Sequence, residues 1–365
     1  MEGNKSNFDF PLLIITIILI LMGLIMIMSA SGVKAYSQYD NAHYFFKRQI
    51  IFAIIGLFLM YVTSLVDYKI YYNNSKIILL LSFILLIIVL LPGIGRKAGG
   101  ATRWIPLGLF DFQPSEVVKI ALIIYISSFI SRKRTKIKDF KKGVLPVLVV
   151  IAVTTYLIMK QPDMGTAVNI IGFSIIILIA GGMKLKHLFL LSVPGILTMF
   201  YYITSAPYRL NRVKTFLDPW KDPRGSGYHI IQSLIALGSG GLTGVGPGNS
   251  RQKFLYLPEP GTDFIFAILG EEFGLLGAIF VIILFGGFAY RGALIALNSK
   301  DLFGTLLAVG ITSMIMIQFL INIGAVTSML PVTGITLPFI SYGGTSLLIS
   351  LFSVGVLLNI SRQSF

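Results

Sequence analysis

The sequence predicts an all-α integral membrane protein of about ten transmembrane helices. Apolar residues make up 55% of its 365 residues and charged residues only 12%, whereas a soluble domain carries about 25% charged residues because its surface faces water. The mean hydropathy of +0.84 points the same way. These proportions exclude a soluble enzyme, a disordered chain and a nucleic-acid-binding module. The chain has no cysteine, which also excludes disulfides, thiolate metal sites and a cysteine nucleophile.

Ten apolar runs account for the predicted helices. A hydrocarbon core of about 30 Å takes about 20 mostly apolar residues per helix. The first run is too long for the apolar part of a signal peptide, so we interpret it as an uncleaved helix. The sequence contains no recognisable internal repeat or linker, which predicts that residues 1–365 form a single polytopic membrane domain. The runs are residues 10–28, 49–66, 77–91, 117–130, 144–159, 167–183, 188–204, 264–290, 302–323 and 340–359.

The basic residues predict the orientation of these helices. Short cytoplasmic loops of membrane proteins are enriched in Lys and Arg. A cytoplasmic N-terminus places one strongly basic loop, residues 132–142, inside the cell. Both termini are then cytoplasmic, and the long loop 205–261 between the seventh and eighth helices is extracellular. The short outer loops keep seven basic residues, which are Lys34, Lys47, Arg48, Arg96, Lys97, Arg103 and Lys160.

The long loop 205–261 combines basic, aromatic and glycine residues. Arg209, Arg212 and Lys253 are among its basic side chains. Residues 228–237 are apolar but too short to span, which predicts a helix lying in the membrane interface. Such a loop suits a large anionic lipid head group. The alternative is a lid that only shields the helix bundle or binds anionic lipid without specificity.

Asp263 stands where this loop meets the eighth helix. A carboxylate at the lipid–water boundary is partly desolvated, which raises its pKa towards the range of a general base. The alternative is structural, because Thr262 and Asp263 could cap the helix and meet its positive end. Both interpretations are open from the sequence.

Three other acidic residues fall within the predicted helices. Glu271 and Glu272 lie two turns deeper than Asp263, and we interpret them as polar contacts between helices. Glu116 and Lys119 are three residues apart and can pair on one side of the fourth helix. The sequence leaves open whether Lys119 neutralises Glu116 or meets an anionic head group. The three histidines are too scattered to predict a metal cluster, so any metal site is unknown at this point.

Ordered motifs along the whole chain resemble those of the SEDS family (shape, elongation, division and sporulation), particularly its FtsW/SpoVE branch. The motifs are TRW at 102–104, QPSE at 113–116 with Lys119, QPD at 161–163, DPW at 218–220, GYHIIQS at 227–233, KFLYLPE at 253–259, TDF at 262–264, GEE at 270–272 and PVTGITLPFISYGG at 331–344.

The resemblance implies a peptidoglycan glycosyltransferase of the bacterial cytoplasmic membrane, active in cell-wall synthesis for cell shape, cell division or sporulation. Such enzymes polymerise lipid II into glycan strands on the outer face. The family's essential aspartate matches Asp263, and Trp104 matches a position that activity requires. The resemblance also implies a single-span class B penicillin-binding protein as partner, beside other division, elongation or sporulation proteins.

The residues fit this chemistry. A carboxylate base, Asp263, would take the proton of the GlcNAc 4-hydroxyl as that oxygen attacks, with undecaprenyl pyrophosphate as the leaving group. Basic side chains, with or without a divalent cation such as Mg²⁺ or Mn²⁺, would stabilise the pyrophosphate, and no nucleotide cofactor is expected. We predict contacts to the head group or pyrophosphate from Lys119, Arg209, Arg212 and Lys253, and shaping of the site by Trp104, Glu116 and Gln232.

Two other functions are compatible with a bundle of this kind. A flippase or transporter of the same lipid-linked precursor would also need many helices and a cavity for a polar head group. Transporters commonly carry internal repeats and charges near the midplane of the membrane, whereas the polar residues here gather at the outer boundary, which favours the enzyme. A membrane scaffold, with the loop as a docking surface, is a weaker third hypothesis.

Overall fold

The computed structural model describes residues 8–98, 101–108, 110–205, 207–254 and 256–364. Helices dominate these residues, and the strands are short. The elements are α1 (Phe10–Tyr39), α2 (Tyr44–Leu65), α3 (Lys69–Ile88), β1 (Arg96–Ala98), β2 (Ala101–Pro106), β3 (Asp111–Phe112), α4 (Pro114–Arg132), α5 (Leu145–Lys160), α6 (Met164–Ala180), α7 (Leu185–Thr204), α8 (Pro207–Leu217), α9 (Tyr228–Ser239), α10 (Ile265–Asn298), α11 (Leu302–Val326) and α12 (Gly344–Ser364).

The helices occur where the apolar runs predict them. Within the described residues, eight helices are long and apolar enough to cross a membrane: α1 to α4, α5 with the π-helical turn before it, and α10 to α12. The sixth and seventh predicted spans coincide with α6, which is apolar but only 17 residues long, and with α7. The all-α membrane architecture is therefore confirmed, and the count of ten crossings stays a prediction.

Aspartates begin three of these helices. The Asp9 carboxylate accepts a hydrogen bond from the Leu12 amide (3.0 Å), Asp163 accepts one from Thr166 (3.2 Å), and Asp301 accepts one from Gly304 (2.7 Å). A carboxylate in this position binds an amide that the helix leaves unpaired and meets the positive end of the helix dipole. The local sequence thus fixes where α1, α6 and α11 start.

The connection between α3 and α4 forms a small sheet that sequence analysis did not predict. The strands β1, β2 and β3 are antiparallel and adjacent in that order. Arg96 lies opposite Trp104, and Ile105 lies opposite Phe112. Strands of two to six residues are too short to show the alternating pattern by which a strand is recognised. The sheet places Arg103 and Trp104 at one end of the helix bundle.

The helix α10 is interrupted at Gly274. Its φ and ψ of 67° and −165° are not helical. The preceding loop replaces the lost helical hydrogen bonds: the amides of Val245 and Gly246 donate to the carbonyls of Glu271 and Glu272 at 3.0 and 3.1 Å. An interrupted helix is tolerated in a membrane protein when its backbone groups find such partners.

In its described residues, the long loop 205–261 contains the two α-helices α8 and α9 and a short 3-10 helix at Pro219–Lys221. The segment predicted as an interfacial helix, residues 228–237, lies within α9. Ile230, Ile231 and Ala236 are buried, so one side of α9 packs against the protein. The position of α9 in the membrane interface stays a prediction, as does the extent of the loop as a unit of the single domain.

Candidate active site

A cavity of about 710 Å³ lies at one end of the helix bundle. Its wall is built by the adjoining ends of α1 and α2, by the connections α3–α4 and α11–α12 and by the long segment between α7 and α10. The topology prediction places all of these on the outer side. A cavity of this size is in the range of small-ligand sites. Charged groups on its wall include Lys34, Arg48, Arg96, Arg103, Asp111, Arg212, Glu259 and Asp263.

Asp263 lies on the cavity wall in a loop that its neighbours hold in place. The Asn322 amide group donates a hydrogen bond to the Asp263 carbonyl (2.9 Å) and another to the Ile335 carbonyl (2.7 Å). The Ser341 hydroxyl donates to the Thr262 carbonyl at 2.6 Å, and the Tyr342 amide donates to the Gly261 carbonyl at 2.9 Å. The segment 331–344 therefore fixes the backbone that presents this carboxylate.

The Asp263 side chain does not cap α10. The residue before the first helical turn is Phe264, and no side chain caps that end of the helix. Within the described residues, no hydrogen bond is donated to the Asp263 carboxylate. The capping interpretation is therefore wrong, because the helix begins two residues after Asp263. A carboxylate without these donors keeps its basicity, which favours the alternative role as a base.

Gly334 packs directly beside this carboxylate. Its φ of +73° is unfavourable for residues with a side chain, and a Cβ placed on it would lie 3.5 Å from the Asp263 Oδ2. In the sequence, Gly334 is recognisable only as one position of the long motif at 331–344. The structure shows it as the part of segment 331–344 that faces the catalytic candidate.

The surroundings raise the pKa of Asp263 to about 6, chiefly because burial disfavours the charged carboxylate and also because Glu259 is negative. The positive charges of Arg103 and Lys34 act in the opposite direction, and Asp163 adds to the rise. A pKa near 6 leaves Asp263 ionised at neutral pH yet able to accept a proton, which is the condition a general base must meet.

Arg103 is a functional candidate that sequence analysis did not single out. Its guanidinium lies 3.8 Å from the Asp163 carboxylate and donates to the backbone carbonyls of Gln161 (3.2 Å) and Pro162. These contacts tie β2 to the connection between α5 and α6 and fix a positive charge on the cavity wall. Its neighbour Trp104, predicted to shape the site, also lines the cavity.

Four of the seven basic residues in the short outer loops line this cavity: Lys34, Arg48, Arg96 and Arg103. Lys34 is ion-paired with Glu259, and Arg96 is paired with Asp111 at 2.9 Å. Because Lys and Arg favour cytoplasmic loops, basic residues in short outer loops are exceptions to the charge bias. This departure from the charge bias was the feature of the sequence that could have identified these four basic residues as functional candidates.

Of the other residues predicted to contact or shape the substrate site, some line the cavity and others do not. Arg212 lines the cavity, and its guanidinium reaches the Val332 carbonyl at 3.5 Å. Arg209, on the same helix α8, donates a hydrogen bond to the Ser205 hydroxyl at 2.9 Å and is not among the residues of the cavity wall. Gln232 on α9 also lies outside that wall. The roles of Arg209 and Gln232 stay predictions that this geometry does not support directly.

Glu116 and Lys119 form a buried ion pair of 2.9 Å. The Lys119 ammonium also donates to the Gln318 side chain at 2.8 Å, and Gln318 in turn donates to the Thr336 carbonyl at 3.1 Å. The pair lines a polar space of about 30 Å³, which shares Gly334 and Thr336 with the large cavity. The geometry favours the ion pair over a head-group contact, with both residues supporting the loop beside Asp263.

Lys253 does not face the cavity, contrary to its prediction as a head-group contact. It is buried, and its ammonium pairs with Glu272 at 3.0 Å and donates to the Ser29 hydroxyl at 3.0 Å. Glu271 accepts hydrogen bonds from the amides of Arg251 (2.9 Å) and Gln252 (3.4 Å). The two glutamates, interpreted as contacts between helices, thus bind the outer loop to α10, and Lys253 is needed to neutralise one of them.

The described residues contain no group of three or more His, Asp or Glu side chains that could hold a metal ion by themselves. The cavity wall still offers the carboxylates of Asp263 and Glu259. Mg²⁺ is commonly bound by one or two carboxylates together with substrate phosphates, so these two residues fit a divalent cation that arrives with a pyrophosphate.

The sequence profile described as "Cell cycle protein", of the FtsW/RodA/SpoVE family, matches residues 10–365. The chain is 47% identical over 364 residues to stage V sporulation protein E of Bacillus subtilis, with all of both chains covered. It is 43% identical to a probable peptidoglycan glycosyltransferase FtsW of Trichlorobacter lovleyi, over 98% of this chain and 93% of that protein.

Several solved structures are similar to this chain. One, from work on coordinated polymerization and crosslinking by a peptidoglycan synthase complex, superposes with a TM-score of 0.82 at 26% identity, covering 98% of this chain and 99% of that chain. The rod shape determining protein RodA of Thermus thermophilus shares the fold, with a TM-score of 0.73 at 24% identity and 98% of each chain covered. The profile match, the relatives and the shared fold together show that this chain belongs to the FtsW/RodA/SpoVE family of integral membrane proteins.

Proposed function

We propose that this protein is a peptidoglycan glycosyltransferase that polymerises lipid II, with Asp263 as the general base. Relatives more than 40% identical over nearly their whole length carry the name of this activity. The observation that carries the proposal is the position of Asp263, a carboxylate with a raised pKa on the wall of a large cavity with several cations.

In the proposed reaction, the 4-hydroxyl of a GlcNAc unit attacks the anomeric carbon of a MurNAc unit on a second lipid-linked chain. Asp263 takes the hydroxyl proton as the new glycosidic bond forms. The bond from the anomeric carbon to undecaprenyl pyrophosphate breaks, and the pyrophosphate leaves with its electron pair. A single displacement of this kind inverts the anomeric carbon, and it needs no second carboxylic acid of the kind that glycosidases use.

The cationic wall would stabilise the leaving group. Arg48, Arg96, Arg103 and Arg212 all line the cavity, and guanidinium groups bind phosphate oxygens by paired hydrogen bonds. Of the two carboxylates, Glu259 rather than the proposed base would hold a divalent cation, which would supply further charge stabilisation at the same oxygens. Charge placed in advance where negative charge develops is commonly the largest contribution to catalysis.

The proposed setting is the cytoplasmic membrane, with both termini in the cytoplasm and the cavity on the outer face. The basic loop 132–142 then lies inside, at the end of α4 opposite the cavity. A class B penicillin-binding protein is the proposed partner, in keeping with the similarity to a chain from a peptidoglycan synthase complex.

The test is polymerisation of labelled lipid II by the full-length protein with its partner transpeptidase. We expect Asp263→Asn to lower the rate by at least about a hundredfold, the usual size of general-base catalysis. Asp67→Asn, the same change in an exposed residue at the opposite end of the bundle, is the matched control and should stay near wild type. Wild-type polymerisation by the Asp263→Asn variant would refute the base, whereas lipid II movement across vesicles without polymer would support a flippase.

A further inference from the structure

A cluster of aromatic side chains leads from the cavity to the outer surface of the protein. We call Tyr39, Tyr44, Phe45 and Tyr342 the aromatic track. Tyr342 lines the cavity, and its ring meets that of Phe45 edge to face at 4.9 Å. Phe45 meets Tyr44 (5.4 Å) and Tyr39 (5.7 Å) in the same way. The four rings therefore form one continuous contact from the cavity wall outward.

The outer end of the track is a rigid stacked pair. The rings of Tyr39 and Tyr44 are nearly parallel, with an interplanar angle of 11° and centroids 3.9 Å apart. Tyr39 is the last residue of α1 and Tyr44 the first of α2. The turn between them is fixed, because Asp40 adopts a left-handed conformation and the Asn41 side chain accepts a hydrogen bond from the His43 amide (3.0 Å).

The inner end of the track is tied to the loop that carries Asp263. The Tyr342 amide donates to the Gly261 carbonyl at 2.9 Å, two residues before Asp263. Arg48 also lines the cavity, and its guanidinium donates to the Tyr44 hydroxyl at 2.7 Å. A cation with several N–H donors thus accompanies the rings along the track.

The outer end faces a polar environment. Tyrosines at membrane interfaces commonly anchor helices in the lipid, and such anchors have apolar neighbours. Here Ser37, Gln38 and Asp40 next to Tyr39 are all exposed, and Tyr39 itself is 47% exposed. A ring that is stacked on one side and about half exposed, set among polar groups, is suited to a ligand with both apolar and polar faces.

We infer that the aromatic track is a binding site for the glycan strand, occupied by sugar units next to those that react at Asp263. The C–H faces of a pyranose ring stack on aromatic rings, and its hydroxyl and acetamido groups accept hydrogen bonds from donors such as Arg48. This inference rests on the proposed function, because a polymerase that adds sugar units in succession must hold a strand near its catalytic base.

Two variants test the track by strand length. The double variant Tyr39→Ala/Tyr44→Ala removes the stacked pair, and Tyr39→Phe/Tyr44→Phe keeps the rings without their hydroxyls. With the partner transpeptidase present, glycan lengths are compared on gels at equal consumption of labelled lipid II. We expect strands at least about threefold shorter for the alanine variant, because losing one or two aromatic contacts accelerates dissociation of the strand by about that factor. The phenylalanine variant should make strands near the wild-type length.

Tyr61→Ala is the matched control, since Tyr61 is an exposed tyrosine towards the other end of the same helix α2. It should leave strand length unchanged. Strands of wild-type length from the alanine variant would overturn the inference, and so would equal shortening by Tyr61→Ala.

A binding measurement separates this inference from the proposed function. Saturation-transfer NMR with chitotetraose, a soluble chain of four GlcNAc units, needs no catalysis. Wild type and the phenylalanine variant should bind, and the alanine variant should bind at least about fivefold more weakly. If wild type binds in this way but makes no polymer, the saccharide site stands and the proposed polymerase fails. If binding is the same in the alanine variant, the saccharide site fails whatever the activity.

Discussion

Asp263 and Glu259 are coupled by their charges on the cavity wall. Glu259 raises the pKa of Asp263, and Lys34, which is ion-paired with Glu259, lowers it. Replacing Glu259 with Gln removes the like charge and releases Lys34 from its partner, and both changes favour ionised Asp263. We therefore expect the acidic limb of the pH–rate profile of Glu259→Gln to move to lower pH than in wild type.

Replacing Arg103 should change the pKa of Asp263 in the opposite direction to replacing Glu259. The positive charge of Arg103 lowers the pKa of Asp263, so Arg103→Gln should move that limb to higher pH. The measurement is the initial polymerisation rate of each variant between pH 5 and 8. Shifts of both variants in the same direction would show that Asp263 is not the group that titrates.

The buried pair Glu116–Lys119 calls for a stability measurement. Removing one partner of a buried pair leaves an uncompensated charge, at a cost of about 3–5 kcal/mol. Lys119→Met should therefore lower the unfolding temperature in detergent, and Glu116→Gln/Lys119→Met should recover part of that loss because neither charge remains. If Lys119→Met instead keeps the wild-type stability and weakens only lipid II binding, Lys119 is a head-group contact after all.

The sequence predicts the role of an individual residue where that role follows from its position relative to the apolar runs. Asp263 could be found because the last residues before an apolar run must lie at the membrane boundary. The orientation of Lys253 could not, since the loop folds back and buries this side chain against Glu272. Arg103 was missed because its site is formed by a sheet with strands of two to six residues.

At the scale of elements, the interruption of α10 is the feature that most constrains the outer loop. Gly274 has a φ of +67°, and a Cβ there would lie 2.4 Å from the Gly244 nitrogen and 2.5 Å from the Leu242 carbonyl oxygen. We expect Gly274→Ala to cost about 1–3 kcal/mol for the backbone conformation alone, and more for the displaced loop. Thermal unfolding in detergent measures this loss.

The matched control lies in the same helix. A Cβ on Gly286 would meet no atom within 4 Å, and alanine favours a helix over glycine by about 1 kcal/mol. Gly286→Ala should therefore be neutral or stabilising. Equal destabilisation by both changes would mean that the interruption at Gly274 has no special role in holding the loop.

Helix positions followed from apolar runs, but helix ends did not. The first predicted run, residues 10–28, begins where α1 begins, whereas α1 continues to Tyr39. That extension passes beyond the apolar segment into polar residues, which the hydropathy pattern excludes from a span. The added turns carry Lys34 to the cavity and Tyr39 to the aromatic track, so the part of α1 that hydropathy does not predict is the part nearest the candidate site.

At the scale of the whole molecule, the cavity, the outer loop and the small sheet lie at one end of the bundle. The predicted topology puts that end outside the cell. The chain has no cysteine, so a single introduced cysteine reports its own side of the membrane. With a membrane-impermeant maleimide on intact cells, Thr243→Cys in the outer loop should be labelled and Thr135→Cys in the basic loop should not. The reverse pattern would exclude chemistry on the outer face.

The charge bias along the chain predicted this topology, and its exceptions carry functional information. The basic residues of loop 132–142 are all exposed, and none of them is among the residues that line the cavity. Lys34 and Arg48 lie on the adjoining ends of α1 and α2, whereas Arg96 and Arg103 lie in the connection between α3 and α4. Only the fold brings the four to one wall. The sequence predicts that these four basic residues lie on the outer side, against the usual enrichment of Lys and Arg in cytoplasmic loops. It does not predict that they meet at one cavity.

In the proposed mechanism, Asp263 accepts a proton from the attacking sugar hydroxyl. The most direct test is the initial rate of lipid II polymerisation as a function of pH, with wild type and Asp263→Asn assayed beside the same partner. Because the pKa of Asp263 is raised to about 6, the wild-type rate should be constant above that pH and fall about tenfold per pH unit below it, as the base becomes protonated. The residual rate of Asp263→Asn should lack this limb. A wild-type rate that stays constant from pH 7 to 5 would contradict the claim.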